Sequence, residues 1–181
     1  QVIIEFIDLT ASAAGADQVI CEDNTTLAGN AVGADETGTW TIQSEPVGST
    51  ADITSPSDPV STLTGLNEVG DYVLRWTISD DNGICSDDFD EVTITLNELT
   101  APAAGPDQQI CADNTTLAAN AAGTDETGTW TVVSGTGTFG DENVENTTVT
   151  GLSAGVNEFA WTISDDLGVC DPQSDQVIIE F

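Results

Sequence analysis

Residues 72–79 read YVLRWTIS. Tyr72, Leu74, Trp76 and Ile78 alternate with Val73, Arg75, Thr77 and Ser79, and a period of two is that of a β-strand whose apolar residues share one face. The alternation predicts a strand with Trp76 turned into a core. A second copy runs through Phe159, Trp161 and Ile163. After the first copy, SDDNG at 79–83 supplies turn residues and EVTITL resumes alternation through Val92, Ile94 and Leu96, so the pair reads as a hairpin. Upstream, GTWTI puts Trp40 and Ile42 on one face, and TTLAGN and VSTLTGL give two further short strands. Short strands at a spacing of about 8 to 12 residues, with Gly, Asn, Asp and Ser turns and no helical periodicity, predict an antiparallel β-sandwich.

The text repeats. AGADQVICEDNTTLAGN at 14–30 returns as AGPDQQICADNTTLAAN at 104–120, identical at 13 of 17 positions with an offset of 90. RWTISDDNGIC at 75 returns as AWTISDDLGVC at 160, so the offset has fallen to 85, and the five lost residues are expected between Gln43 and Thr62. QVIIEF occupies both 1–6 and 176–181, which reads as one two-module period of a longer tandem array. Residues 1–9 are expected to complete a preceding module, 10–98 to form the first sandwich and 99–181 the second. The short joint LNELTAPAAG holds a proline, which favours a stiff series of modules. At about 3.3 Å per strand residue each module advances the axis by roughly 40 Å, and a long array becomes an elongated rod.

Thirty-two acids face one base, Arg75, with no Lys, His or Met, and the net charge is −31. Nucleic acid and anionic membrane surfaces need a basic footprint and are excluded as direct partners. Alternating Trp, Ile and Val exclude a disordered chain. No apolar run is long enough for a membrane-spanning helix, and the first residues lack the basic start of a signal peptide, so any export signal is expected outside this segment.

Cys21, Cys85, Cys111 and Cys170 fall two per module at matching places. An even count in a repetitive, extracellular-looking chain points to disulfides, with three possible pairings. Cys21 with Cys85 and Cys111 with Cys170 is the default, because each module then folds alone; loops of about 60 residues would contribute roughly 4 kcal/mol each. That pairing requires Cys21 and the last hairpin to share one end of the sandwich. Zinc would want CxxC pairs and histidines, which are absent.

The inventory for catalysis is thin: no His to serve Ser or Cys, no Lys for a Schiff base, and paired Asp80 and Asp81 at a hairpin turn, where Asp is simply a good turn residue. An enzyme is not expected. Without Lys, isopeptide cross-links cannot form, and Arg75 is the single trypsin site. Calcium is the cofactor to consider. The loop before GTW and the turn after WTIS are expected at one end of each sandwich. That would gather Asp35, Glu36, Asp80 and Asp81 near Asp8, and Asp125, Glu126, Asp165 and Asp166 near Glu98, as hard oxygen ligands at a joint. Against this stands a solvated acidic surface with no compact DxDxDG loop. Asn24, Asn114 and Asn146 begin N-T-T sequences, read as turns and strand starts. Trp40, Trp76, Trp130 and Trp161 are expected inward, as core.

AGPDQ, then Cys, then GTWTV, then TGLSAGVNEFAWTISDDLGVC resembles the PKD-like or immunoglobulin-like repeats of giant surface proteins of Bacteroidota, above all SprB-type gliding adhesins. The resemblance covers both modules. It implies export by type IX secretion, a location on the bacterial cell surface, and filaments that contact the substratum. The expected role is a structural spacer that projects a distal binding region and transmits force. Its partners would be adjacent identical repeats in the same chain, with surface polysaccharide or substratum met through other regions and no direct membrane insertion. The alternative is a multivalent glycan- or ice-binding module using exposed aromatics or a flat array such as Thr39 and Thr41.

Overall fold

The computed structural model describes residues 8–181. The chain divides into two compact units, Gln1–Asn97 and Glu98–Phe181. Of the strand expected over residues 1–9, residues 1–7 lie outside the described residues.

The first unit contains β1 (Gln18–Ile20), β2 (Asn24–Thr26), β3 (Glu36–Ser44), β4 (Asp52–Ile53), β5 (Thr62–Thr64), β6 (Gly70–Asp80) and β7 (Asp88–Leu96). β1, β7, β6 and β3 form a four-stranded sheet in that order, and β2, β5 and β4 a three-stranded one. Sequence periodicity sets the inner face: Tyr72, Leu74, Trp76 and Ile78 of β6 are all 0% exposed. They pack with Trp40, Val92 and Ile94 from the same sheet and Leu63 and Ile53 from the other, and Leu9 packs partly against this core. Fully burying each aliphatic side chain contributes about 1.5–3 kcal/mol. β3 is an edge strand, but Trp40 N–H donates to the Pro56 carbonyl at 2.8 Å, so the loop before β5 covers part of that edge.

The second unit repeats the plan with β8 (Gln108–Gln109), β9 (Asn114–Thr116), β10 (Glu126–Ser134), β11 (Thr138–Phe139), β12 (Thr148–Thr150), β13 (Val156–Asp165) and β14 (Gln173–Glu180). The sheets are β10-β13-β14-β8 and β11-β12-β9. In each unit two tryptophans face each other across the ladder, Trp40 opposite Trp76 and Trp130 opposite Trp161. Their ring centroids are 5.1 and 5.2 Å apart and the rings tilted by 42° and 45°, a geometry that brings the edge of one ring toward the face of the other.

The length difference falls partly outside the expected stretch. β3 and β10 align at an offset of 90, whereas Asp52 and Thr138, each paired to the third residue of the next strand, align at 86. The last lost residue comes later, between Thr64 and Asp71, and the offset reaches 85 where Tyr72 and Asn157 stand opposite Ile94 and Ile179. There the two units solve one problem with different chemistry. The Tyr72 hydroxyl donates to the Glu68 carbonyl at 2.8 Å and accepts from Glu68 N–H at 3.2 Å. In its place, fully buried Asn157 donates to the Ser153 carbonyl at 2.9 Å and accepts from the amides of Thr136 and Ser153, each at 3.1 Å.

The first strand of each unit sets the direction of the chain. β1 runs parallel to β7, with Ile20 level with Leu96, and β8 runs parallel to β14. Each module is therefore entered at one end of its main sheet, the leading pole, and left at the other, the trailing pole. The eleven residues of β6 span the distance between them, about 33 Å at strand rise.

Candidate functional site at the acidic leading pole

Glu36 opens β3 and stands opposite Asp80, the last residue of β6; Glu126 and Asp165 repeat the pair. The residue before each glutamate, Asp35 or Asp125, adopts a left-handed backbone with φ of 60° or 57°, a conformation that Asp tolerates better than most non-glycine residues. Its carbonyl accepts from the amide of Asp81 or Asp166, at 2.9 Å in both units. The topology thus gathers Asp35, Glu36, Asp80 and Asp81 in one unit and Asp125, Glu126, Asp165 and Asp166 in the other. Asp8 and Glu98 are exposed, and neither takes part in these hydrogen bonds.

The carboxylates accept from backbone. Glu36 takes Thr10 N–H at 2.8 Å on Oε1 and Gly33 N–H at 2.6 Å on Oε2, clasping the incoming segment to β3. Glu126 does the same with Thr100 at 2.8 Å and Gly123 at 2.6 Å. Asp80 accepts Asn82 N–H on Oδ1, and Ile84 and Cys85 N–H on Oδ2. Asp165 likewise holds Leu167, Val169 and Cys170. Thr37 and Thr127 hydroxyls donate to Asp81 and Asp166 at 2.6 and 2.7 Å.

These amides set the acidities. The Cys85, Asn82 and Ile84 amides hold Asp80 below the usual carboxylate range, and those of Cys170, Val169 and Leu167 do so for Asp165. Thr10 and Gly33 lower Glu36. Burial pulls Glu126 upward, but the Thr100 and Gly123 amides together outweigh it and the net shift is downward. A charge that accepts several N–H bonds is favoured over its protonated form.

The backbone amides already take up part of the acceptor capacity of Glu36, Asp80, Glu126 and Asp165. Among the described residues no group of three or more Asp, Glu or Cys is arranged to hold a metal ion. Two open concavities among the described residues are lined by Ser55, Pro56, Ser57, Asp58 and Pro59, and by Asp107, Gln108, Gln109, Ile178 and Glu180. The four tryptophans are at most 2% exposed, with Trp40 Nε1 donating to the Pro59 carbonyl and Trp130 Nε1 to that of Glu145. Arg75 is engaged with Glu91 at 2.7 Å and lies 4.0 Å over the Phe89 ring.

Further acids do related work. Asp17 and Asp107 accept from the amides of Thr93 and Ile178, each at 2.8 Å, and Asp90 and Asp175 from Ala14 and Ala104 at 2.8 and 2.9 Å. They tie the opening segment of each module to its last strand. The signal was present in the repeat: each of these acids recurs at an offset of 90 or 85, whereas Asp88, which binds Ser12, is replaced by Gln173.

The cysteines correct an expectation. Cys21 follows Ile20, whose carbonyl accepts Asn97 N–H at 2.8 Å at the trailing pole. Cys85 lies in the β6–β7 turn at the leading pole, its amide on Asp80. The nine residues of β7 separate the two, about 27 Å at strand rise, whereas a disulfide needs Cα atoms within about 7 Å. In the second unit β14 separates Cys111 from Cys170 in the same way. Cys21 and Cys170 are disulfide-bonded and Cys111 is an exposed free thiol. The pairing within a module is therefore excluded, because the parallel run of β1 carries Cys21 away from the hairpin.

No protein-family model matches this chain, and no curated protein matches it. Among solved structures, the insect immune protein hemolin is similar over 96% of this chain and 46% of its own, with TM-score 0.53 and 9% identity. The extracellular cadherin domains 3–6 of protocadherin gamma B2 are similar over 93% and 51%, with TM-score 0.52 and 11% identity. Each module is an immunoglobulin-like β-sandwich. A PKD domain from the KIAA 1837 protein also aligns, over 56% of this chain and 99% of its own, at 25% identity and TM-score 0.43. The chain spans about half the length of the hemolin and protocadherin structures it matches.

Proposed function

We propose that this chain is a load-bearing spacer of a long secreted adhesin filament on a bacterial surface, of the gliding-motility type exported by type IX secretion. The observation that carries this reading is the parallel pairing of first and last strands in both modules, β1 with β7 and β8 with β14. Tension applied at the two termini of such a pair shears its hydrogen bonds together instead of opening them one at a time. Asp17 and Asp90, with their counterparts Asp107 and Asp175, add further ties along the same seam.

Disulfide-bonded cysteines support an oxidising, extracellular setting. Hemolin, an insect immune protein described in connection with homophilic adhesion, and the extracellular cadherin domains of protocadherin gamma B2 have comparable folds. The glycan-platform alternative has no aromatic surface from tryptophan, since all four are buried. Deleting whole two-module periods from the parent protein is the test: the surface filament shortens in proportion while distal binding persists. Loss of ligand binding on deletion, or quenching of tryptophan fluorescence of this chain by polysaccharide, contradicts the spacer role.

A further inference from the structure

In these 181 residues one peptide bond follows a basic side chain, Arg75–Trp76. The stretch around it, YVLRWTIS at 72–79, carries no acid in a chain that holds 32 of them. Endoproteases take a substrate as an extended strand, with main-chain hydrogen bonds to the enzyme and alternate side chains seated in pockets. Unfolded, this stretch suits an enzyme that cuts after arginine, since its one charge is the arginine itself.

The folded first unit withholds every one of those contacts. β6 lies between β3 and β7, and Arg75 stands opposite Thr41 on one side and Glu91 on the other. Both main-chain edges of the strand are therefore taken at the bond to be cut. Leu74 and Trp76, the neighbours of Arg75, are 0% exposed, as are Tyr72 and Ile78. The guanidinium is held as well: Nε and Nη2 donate to Glu91 Oε1 at 3.0 and 2.7 Å, and the group lies 4.0 Å over the Phe89 ring. Because β6 supplies four wholly buried side chains to the core, lifting it into a protease cleft means losing the sandwich.

The fold does not require this arginine. In the second unit Ala160 stands between Thr131 and Gln176, and Ser174 takes the place of Phe89, yet the strand order is the same.

We propose that Arg75 is a fold-gated cleavage site: an endoprotease that cuts after arginine spares the folded first unit and severs it once its sandwich has opened. The step consumes one water. The bond between the Arg75 carbonyl carbon and the Trp76 nitrogen breaks, leaving a carboxylate on Arg75 and an ammonium on Trp76. Both charges fall in the middle of a central strand, the ammonium on a residue otherwise wholly buried, where an unpaired charge is costly. The cut unit cannot close again, so one loss of fold becomes permanent. This property belongs to the first unit alone and does not depend on the spacer role.

The test uses the full oxidised chain and a low concentration of trypsin, with products resolved by mass after reduction. At such a concentration cleavage tracks the population of the open form. The folded chain should stay intact, and in rising denaturant two fragments should appear, residues 1–75 and 76–181. Arg75→Gln should abolish cutting even in full denaturant. Leu27 and Leu117 occupy matching core positions at 1% and 0% exposure. Leu27→Ala should speed cleavage without denaturant by at least about 30-fold, whereas Leu117→Ala should leave the rate unchanged. Ile94→Val, a milder change in the same core as Leu27, should give an increase of roughly two- to tenfold. Fragments from any other bond, a rate that neither Leu27→Ala nor Ile94→Val alters, or an equal rise with Leu117→Ala overturns the proposal.

Discussion

The six-membered ring of Trp76 lies directly over Gly38, so close that a methyl group on that glycine would overlap its Cζ2 and Cη2 atoms; Trp161 covers Gly128 in the same way. The GTW triplet is therefore a packing unit: the glycine makes room on β3 for the tryptophan of β6, and the tryptophan two residues on packs against that same ring.

Gly38→Ala and Gly128→Ala should each destabilise their module by about 3 kcal/mol, the upper range for overpacking a filled core. Gly29→Ala is the control. Its methyl would lie 3.0 Å from the Trp40 ring, yet the second module carries Ala119 at that place, so the cost should stay below about 1.5 kcal/mol. Denaturant unfolding followed by tryptophan fluorescence measures both.

Asn157→Ala should destabilise the second module by about 3 kcal/mol, because it leaves the Thr136 and Ser153 amides without their buried acceptor. Tyr72→Phe removes a hydroxyl bonded to Glu68 alone, and about 1–2 kcal/mol is expected. Equal losses at the two sites would mean that the clamp is not what either residue supplies.

Much of this architecture was legible in the sequence. β6 and β13 announce themselves by alternation around Trp76 and Trp161, and the hairpin turns by their Asp, Asn and Gly. The gathering of Glu36 with Asp80 followed from strand order alone. Asn157 was not legible, since a polar residue at an inward position breaks the pattern and only its partners explain it. The disulfide expectation failed on direction: QVI at 18–20 gives no sign of whether it runs parallel or antiparallel to EVTITL, and that choice decides which pole receives Cys21. The role of the acids was hidden in the same way, because spacing shows that carboxylates converge but not that backbone amides already occupy them.

Acid should weaken both modules. Glu36, Asp80, Asp88, Glu126 and Asp165 all titrate below their ordinary values of 4.5 for Glu and 3.8 for Asp. A depressed folded-state pKa means that the unfolded chain binds protons first, so stability rises with pH. The contribution is whole above about pH 4.5 and fades as pH falls through the lower folded-state values. Melting midpoints taken at about 1 M salt, where the Debye length is near 3 Å, should hold steady from neutral pH and drop below that point. Glu36→Ala and Glu126→Ala should each shrink the drop; an unchanged profile in both would show that the clasp does not stabilise the module.

Calcium bears on the same carboxylates. With both oxygens of Glu36 and of Asp80 already accepting N–H groups, the melt in calcium should match the melt in chelator at equal ionic strength. A rise of many degrees with calcium alone would make the leading pole a metal site and put joint stiffness under ionic control.

The central claim is that the modules bear load along the chain, and pulling a single reduced molecule tests it most directly. With handles at the two termini, both modules should unfold as separate steps. Their force should be several-fold higher than when handles at Gly70 and Leu96, opposite each other at the open end of the β6–β7 pair, unzip the first module. An end-to-end force equal to or below the unzipping force would contradict the account.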